Sequence, residues 1–168
     1  MKHEWIDKYM YDAERMIVEG GPGVNQGLKM LNELLYEEPG YGRLHNHLGW
    51  AHLYYTLDIA QAEVHFKAAI KFHGDFQAPY LHLGTLYVRE AQYAEAIDIL
   101  NKGLTAYQAN KAGMLDLMGQ AYEMQKEYKL AIKAYREAML STFVNGEMNV
   151  FSDSIKRCRK KRWSKLLS

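Results

Sequence analysis

Apolar positions recur at helical spacing along most of the chain. Tyr80, Leu83, Leu86 and Tyr87 fall on one side of a predicted helix. After a short polar break, Tyr93, Ile97, Leu100 and Leu104 fall on one side of another. The two-helix pattern then comes back. PYLHLGTLYVREAQYAEAIDILNKGL, from Pro79, aligns with MLDLMGQAYEMQKEYKLAIKAYREAM, from Met114. Gly84 and Gly119 are 35 residues apart, as are Tyr87 and Tyr122, and Tyr93 pairs with Tyr128. An earlier copy, HLGWAHLYYTLDIAQAEVHFKAAI, puts Gly49, Ala62, Phe66 and Ala69 at the corresponding places. A fixed period in this range predicts a stacked array of helix pairs rather than one globule.

The small residues have a mechanical reason. Gly49, Gly84 and Gly119 sit mid-helix, where glycine costs about 1 kcal/mol against alanine. The loss is tolerable where a second helix must approach closely. Ala62, Ala96 and Ala131 are expected to do the same on the second helix of each pair. Phe66, Leu100 and Tyr135, four positions later, are expected to fill space between pairs. The first copy carries one extra residue between Gly49 and Ala62, placed in the turn before Asp58, a predicted helix cap.

On these residues the chain resembles the tetratricopeptide repeat (TPR) family. Tyr80, Leu83-Gly84, Tyr87, Ala96 and Leu100 follow the family pattern, and so do Leu115, Met118-Gly119, Tyr122, Ala131, Tyr135 and Ala138. The first copy fits through Leu48-Gly49, Ala62, Phe66 and Ala69, with His45 and His52 at sites that are usually aromatic. The resemblance implies an all-α fold, a right-handed superhelical solenoid of about four helix pairs plus a C-terminal capping helix. The expected division is a degenerate pair over 1–40, repeats over 41–74, 75–109 and 110–144, and a basic cap over 145–168. In the degenerate pair a helix from His3 to Glu19 ends at Gly20-Gly21-Pro22-Gly23. A second helix follows, and Gly27 falls one period before Ala62. Asn145-Gly146 is expected to break the chain before a last helix. Its inner side would carry Met148, Phe151, Ile155, Cys158 and Leu166.

The family's inner face comes from the first helix of each pair. The resemblance therefore implies a groove of Arg43, Asn46, Trp50, Leu53 and Tyr54, then Leu81, His82, Thr85 and Arg89, then Asp116, Gln120 and Glu123. Trp50 reads two ways, as a groove anchor or as packing against a neighbouring first helix. The clamp that some family members use for a chaperone's terminal carboxylate is incomplete. Arg43 and Asn46 are present, but the third-pair places hold Gly113 and Leu117.

Charge adds one asymmetry. Of 21 basic and 20 acidic residues, seven basic ones lie between Ile155 and Ser168 with no acid: Lys156, Arg157, Arg159, Lys160, Lys161, Arg162 and Lys165. That leaves 14 basic and 20 acidic residues, a net of −6, on the rest. A basic end on an acidic body implies nucleic acid, an acidic partner or internal pairing. Trp163 interrupts the run and suits base stacking.

Catalytic and metal chemistry find little support. His45, His47 and His52 share a helix, but no two have the i, i+4 spacing of a helical metal site, so a packing role is the better reading. There is no phosphate loop, zincin motif or nucleophile elbow. Cys158 is expected to be buried. No apolar run approaches the roughly 20 residues of a membrane span. The first residues carry acids where a secretory signal needs an apolar stretch. With one cysteine, no internal disulfide is available and a cytoplasmic setting is expected. The chain thus reads as a non-enzymatic scaffold, without cofactor or metal, that holds a peptide or protein partner in its groove. A nucleic-acid-associated factor working through the basic helix is the rival. Self-association through a solenoid end is a third reading.

Overall fold

A computed structural model of the chain describes residues 4–107 and 109–167, without the side chains of residues 166 and 167. The predicted start at His3 and the inward Leu166 side chain lie outside them. The described residues form nine helices and no strand: α1 (Glu4–Glu19), α2 (Pro22–Glu37), α3 (Gly42–Ala51), α4 (Ile59–Phe72), α5 (Ala78–Arg89), α6 (Tyr93–Gly103), α7 (Lys111–Met124), α8 (Tyr128–Leu140) and α9 (Asn145–Leu167). The chain divides into two compact units at the step from His82 to Leu83, within α5.

In the first unit, α1 packs on α2 and α3 on α4. Gly20 and Gly21 take positive φ of 79° and 55°, and Pro22 opens α2, where its missing N–H costs nothing. Gly27 is buried, and a Cβ there would stand 2.5 Å from the Ala13 carbonyl oxygen. Ile6, Met10, Ala13, Ile17, Leu31 and Leu48 form part of one continuous core.

The later pairs close through a glycine notch. A Cβ on Gly49 would lie 2.7 Å from the Phe66 ring, on Gly84 2.4 Å from Leu100, and on Gly119 2.5 Å from the Tyr135 ring. Phe66, Leu100 and Tyr135 therefore seat inside their own pair, on its glycine, rather than between pairs. All three are fully buried, as are Ala62, Ala96 and Ala131.

The extra residue of the first copy is absorbed at the end of α3. Residues His52–Thr56 widen into a π-helical turn. Asp58 N–H then reaches back six residues to the His52 carbonyl, at 3.0 Å. The equivalent bonds, Gln92 to Tyr87 and Glu127 to Tyr122, span five. Asp58 caps α4 by accepting the Gln61 N–H at 3.1 Å. The three turns share a left-handed residue that is not glycine: Leu57, Ala91 and Lys126, with φ of 57°, 58° and 62°.

In the second unit α7 packs on both α6 and α8, and α9 lies on α8. Phe151, Ile155 and Cys158 point inward as expected. Two details differ. Asn145-Gly146 opens α9 instead of breaking the chain, because the Thr142 hydroxyl accepts the Val144 N–H at 3.0 Å and bonds Glu147, turning the chain earlier. Met148, still in the first turns, is exposed.

Candidate functional site

The positions assigned to an inner face have different surroundings in the two units. In the first, Arg43 is half-exposed and its guanidinium reaches Asp7 at 3.4 Å, while Tyr41 donates to the same carboxylate at 3.0 Å. Arg43 also stands over the Phe76 ring at 5.9 Å. Asn46 is buried, with its Oδ1 lacking a hydrogen-bond partner among the described residues. Trp50 is half-buried against the α1–α3 core, its ring 4.9 Å from that of Tyr55. Leu53 is fully buried, so spacing misplaced it on a surface; it stands four residues after the notch glycine Gly49, a place that is also buried at Glu123, four after Gly119. Tyr54 is exposed and meets the His82 ring edge-on at 6.1 Å. Leu81 is half-buried.

Histidines fill the joint between α3 and α4. His45 Nε2 lies 2.9 Å from the Pro39 carbonyl oxygen and must donate to it. Neutral His45 then presents a bare Nδ1, to which His65 Nδ1–H donates at 3.0 Å. His52 stacks flat on His65 at 5.7 Å, and His82 on Phe66 at 5.4 Å. Burial lowers His65 to about 4, helped by the neighbouring His45 and His52. Burial also lowers His82 to about 4, with His47 adding to it. His65 and His82 are therefore neutral packing groups at neutral pH. No three ligand-type side chains converge on one point among the described residues.

The second unit holds an open cavity of about 650 Å³, lined by Arg89, Asp116, Gln120 and Glu123, four of the positions assigned to the groove. Tyr93, Met124 and Tyr135 contribute to its wall, and α9 supplies Val150, Ser154 and Arg157. Arg89 is exposed, while Thr85, Asp116 and Gln120 are half-buried. Gln120 donates to Asp116 at 3.0 Å, and burial pushes the Asp116 carboxyl above its ordinary range. Sequence spacing had no means of finding the α9 wall, because only first helices were assigned to the face.

Glu123 ties the wall together. Its carboxylate accepts Arg157 Nε and Nη2, each at 2.8 Å, Lys161 Nζ at 2.7 Å and the Tyr135 hydroxyl at 3.2 Å. The Arg157 bonds lead in holding it at about 2, against desolvation. Burial beside Glu123 pushes the Cys158 thiol up to about 12, which makes it unreactive. The basic run is thus divided. Arg157 and Lys161 serve Glu123, Lys156 pairs with Asp153 at 3.0 Å, and Arg159, Lys160, Arg162 and Lys165 are exposed.

No family model matches the chain, and no curated protein matches it by sequence. Solved structures do. MamA, residues 41 to the end, from Desulfovibrio magneticus RS-1 is 20% identical, covers 96% of this chain and 92% of its own, and gives a TM-score of 0.68. Another MamA crystal structure is 16% identical, covering 99% and 96%, with a TM-score of 0.68. The Arabidopsis OM64 TPR domain is 19% identical, covering 71% and 94%, with a TM-score of 0.62. The chain has a TPR fold. Within that TPR frame, His45 and His52 replace aromatics by making hydrogen bonds as well as ring contacts. No TPR helix among the described residues is long and apolar enough to cross a membrane.

Proposed function

We propose that this chain is a non-catalytic TPR scaffold, and that it holds a peptide segment of a protein partner in the cavity of its second unit. The observation that carries the reading is the meeting of Arg89, Asp116, Gln120 and Glu123 around one open cavity. Its volume is in the range of about 300–1,000 Å³ that suits a bound side chain or small ligand. Arg89 offers donors to a carboxylate or backbone carbonyl. Asp116, raised by burial, gains from a donor or cation brought by the partner. Met124 and Val88 give apolar contact, and packed helices present these groups at little ordering cost. The repeat division over 41–74, 75–109 and 110–144 and a cytoplasmic setting belong to the same reading.

The test is selection of peptides from a random display library on the whole protein, followed by calorimetry. Arg89→Ala and Asp116→Asn are expected to weaken a selected peptide roughly tenfold, about 1.4 kcal/mol each. Unfolding midpoints should stay unchanged. Peptides that bind both variants as tightly as the original protein contradict the reading.

A further inference from the structure

The basic end of α9 does not stand alone. It runs beside the turn between α7 and α8, and two open clefts of about 530 and 350 Å³ lie between them. Lys126, Tyr128 and Lys165 line both. Lys160 lines the larger cleft, and Lys129 and Arg162 the smaller. The single acid in either lining is Glu127. Lys161 also lines the larger cleft but is held by Glu123. Lys126, Lys129, Lys160 and Arg162 are all exposed. Four solvent-facing cations and one half-buried aromatic ring, Tyr128, therefore line the two clefts, on a protein whose remaining sequence is acidic.

We infer that this double cleft binds single-stranded nucleic acid, with phosphates on Lys126, Lys129, Lys160 and Arg162 and a base on Tyr128. Cations along a concave track and a ring at its centre are the two parts of a sequence-tolerant single-strand site. A duplex keeps its bases stacked and has no use for the ring. An acidic polypeptide uses the charges alone. A membrane surface uses exposed apolar side chains at the same rim: Leu130 and Trp163 directly follow Lys129 and Arg162, so vesicle binding is the rival the test separates, whereas the exposed Leu140 and Phe143 precede the other end of α9. From there to Arg162 the helix rises about 25 Å. Trp163, exposed on the last turns, provides a second ring near the basic end. The site is separate from the cavity of Arg89 and Asp116, so either assignment can fail without the other.

The test is fluorescence anisotropy of the whole chain with a labelled mixed-sequence single strand of about 20 nucleotides. With about four phosphate contacts, raising salt from about 50 to 200 mM should weaken binding about 50-fold. The double variant Lys126→Gln, Lys129→Gln leaves the Glu123 network intact and should cut that loss to about sevenfold, because two phosphate contacts are gone. Tyr128→Phe should bind as the original chain does, and Tyr128→Ala several-fold more weakly, with circular dichroism unchanged in each. Absence of binding at the lower salt overturns the inference. So does a salt dependence that the lysine pair does not alter. Equal affinity for duplex, for polyglutamate or for vesicles containing phosphatidylserine overturns it as well.

Discussion

The two units use the same helix-pair frame but treat their polar positions differently. In the first, the face built by α3 is largely occupied by the protein itself: Arg43 is on Asp7, Trp50 is on Tyr55, and Leu53 is inside the core. In the second, the equivalent face opens into a cavity with Arg89, Asp116 and Gln120 around it. Buried polarity differs too. The first unit buries imidazoles bonded to one another, whereas the second buries a carboxylate under a guanidinium and an ammonium. Repeat geometry sets where side chains project. The individual side chains decide whether a surface is used internally or left available.

The largest expected effect tests the frame shared by both. Phe66→Ala and Tyr135→Ala each empty a glycine notch and should cost about 3–5 kcal/mol in urea unfolding. Ala96→Leu and Ala131→Leu should overpack their pairs, at about 1–3 kcal/mol. Midpoints unchanged in these variants contradict the close approach of the helices.

Acid sharpens the contrast. His65 is held near 4 in the folded protein against an ordinary 6.5, so unfolding takes up a proton between those values. The first unit's stability is complete above pH 6.5 and falls as pH drops towards 4. Glu123, held near 2 against an ordinary 4.5, contributes stability that is present above pH 4.5 and lost only as pH falls towards 2. Hydrogen exchange, corrected for its intrinsic pH dependence, should therefore show α3 and α4 losing protection between pH 6.5 and 4.5 while α7 and α8 keep theirs. Glu123→Gln should cost about 1.5 kcal/mol, the low end for a charged hydrogen bond because Arg157 and Lys161 are half in solvent. It should also remove much of the second unit's loss below pH 4.5.

The smallest expected effect concerns the turns. Ala91→Gly relieves a left-handed residue that is not glycine and should raise stability by about 1 kcal/mol. Leu57→Gly, in the widened turn, should do the same.

The frame was legible because close packing leaves a periodic trace. Gly49, Gly84 and Gly119 recur where a Cβ has no room, and no other residue type serves there. The added residue before Asp58 was legible as a count, but its form as a π turn was not. Leu53 lies four residues after Gly49, and Glu123, four after Gly119 in a regular helix, is buried as well. The Glu123 network was open only as a general pairing of basic end and acidic body. Its partners, Arg157 and Lys161, lie 34 and 38 residues further on, and no local pattern joins them. For the same reason, Lys160 and Arg162 are better charge-reversal targets than Lys161, whose reversal would put a second carboxylate against Glu123. Lys126 and Lys129 were visible in the sequence but belong to the basic end only through the docking of α9.

The central claim is that the partner's peptide is held in the second unit. Chemical-shift mapping of the isotopically labelled whole chain with a selected peptide tests it most directly. The account predicts that the largest backbone shifts fall on Val88, Arg89, Asp116, Gln120 and Met124. Large shifts on Arg43, Trp50 and Tyr54, with those five unmoved, would contradict it.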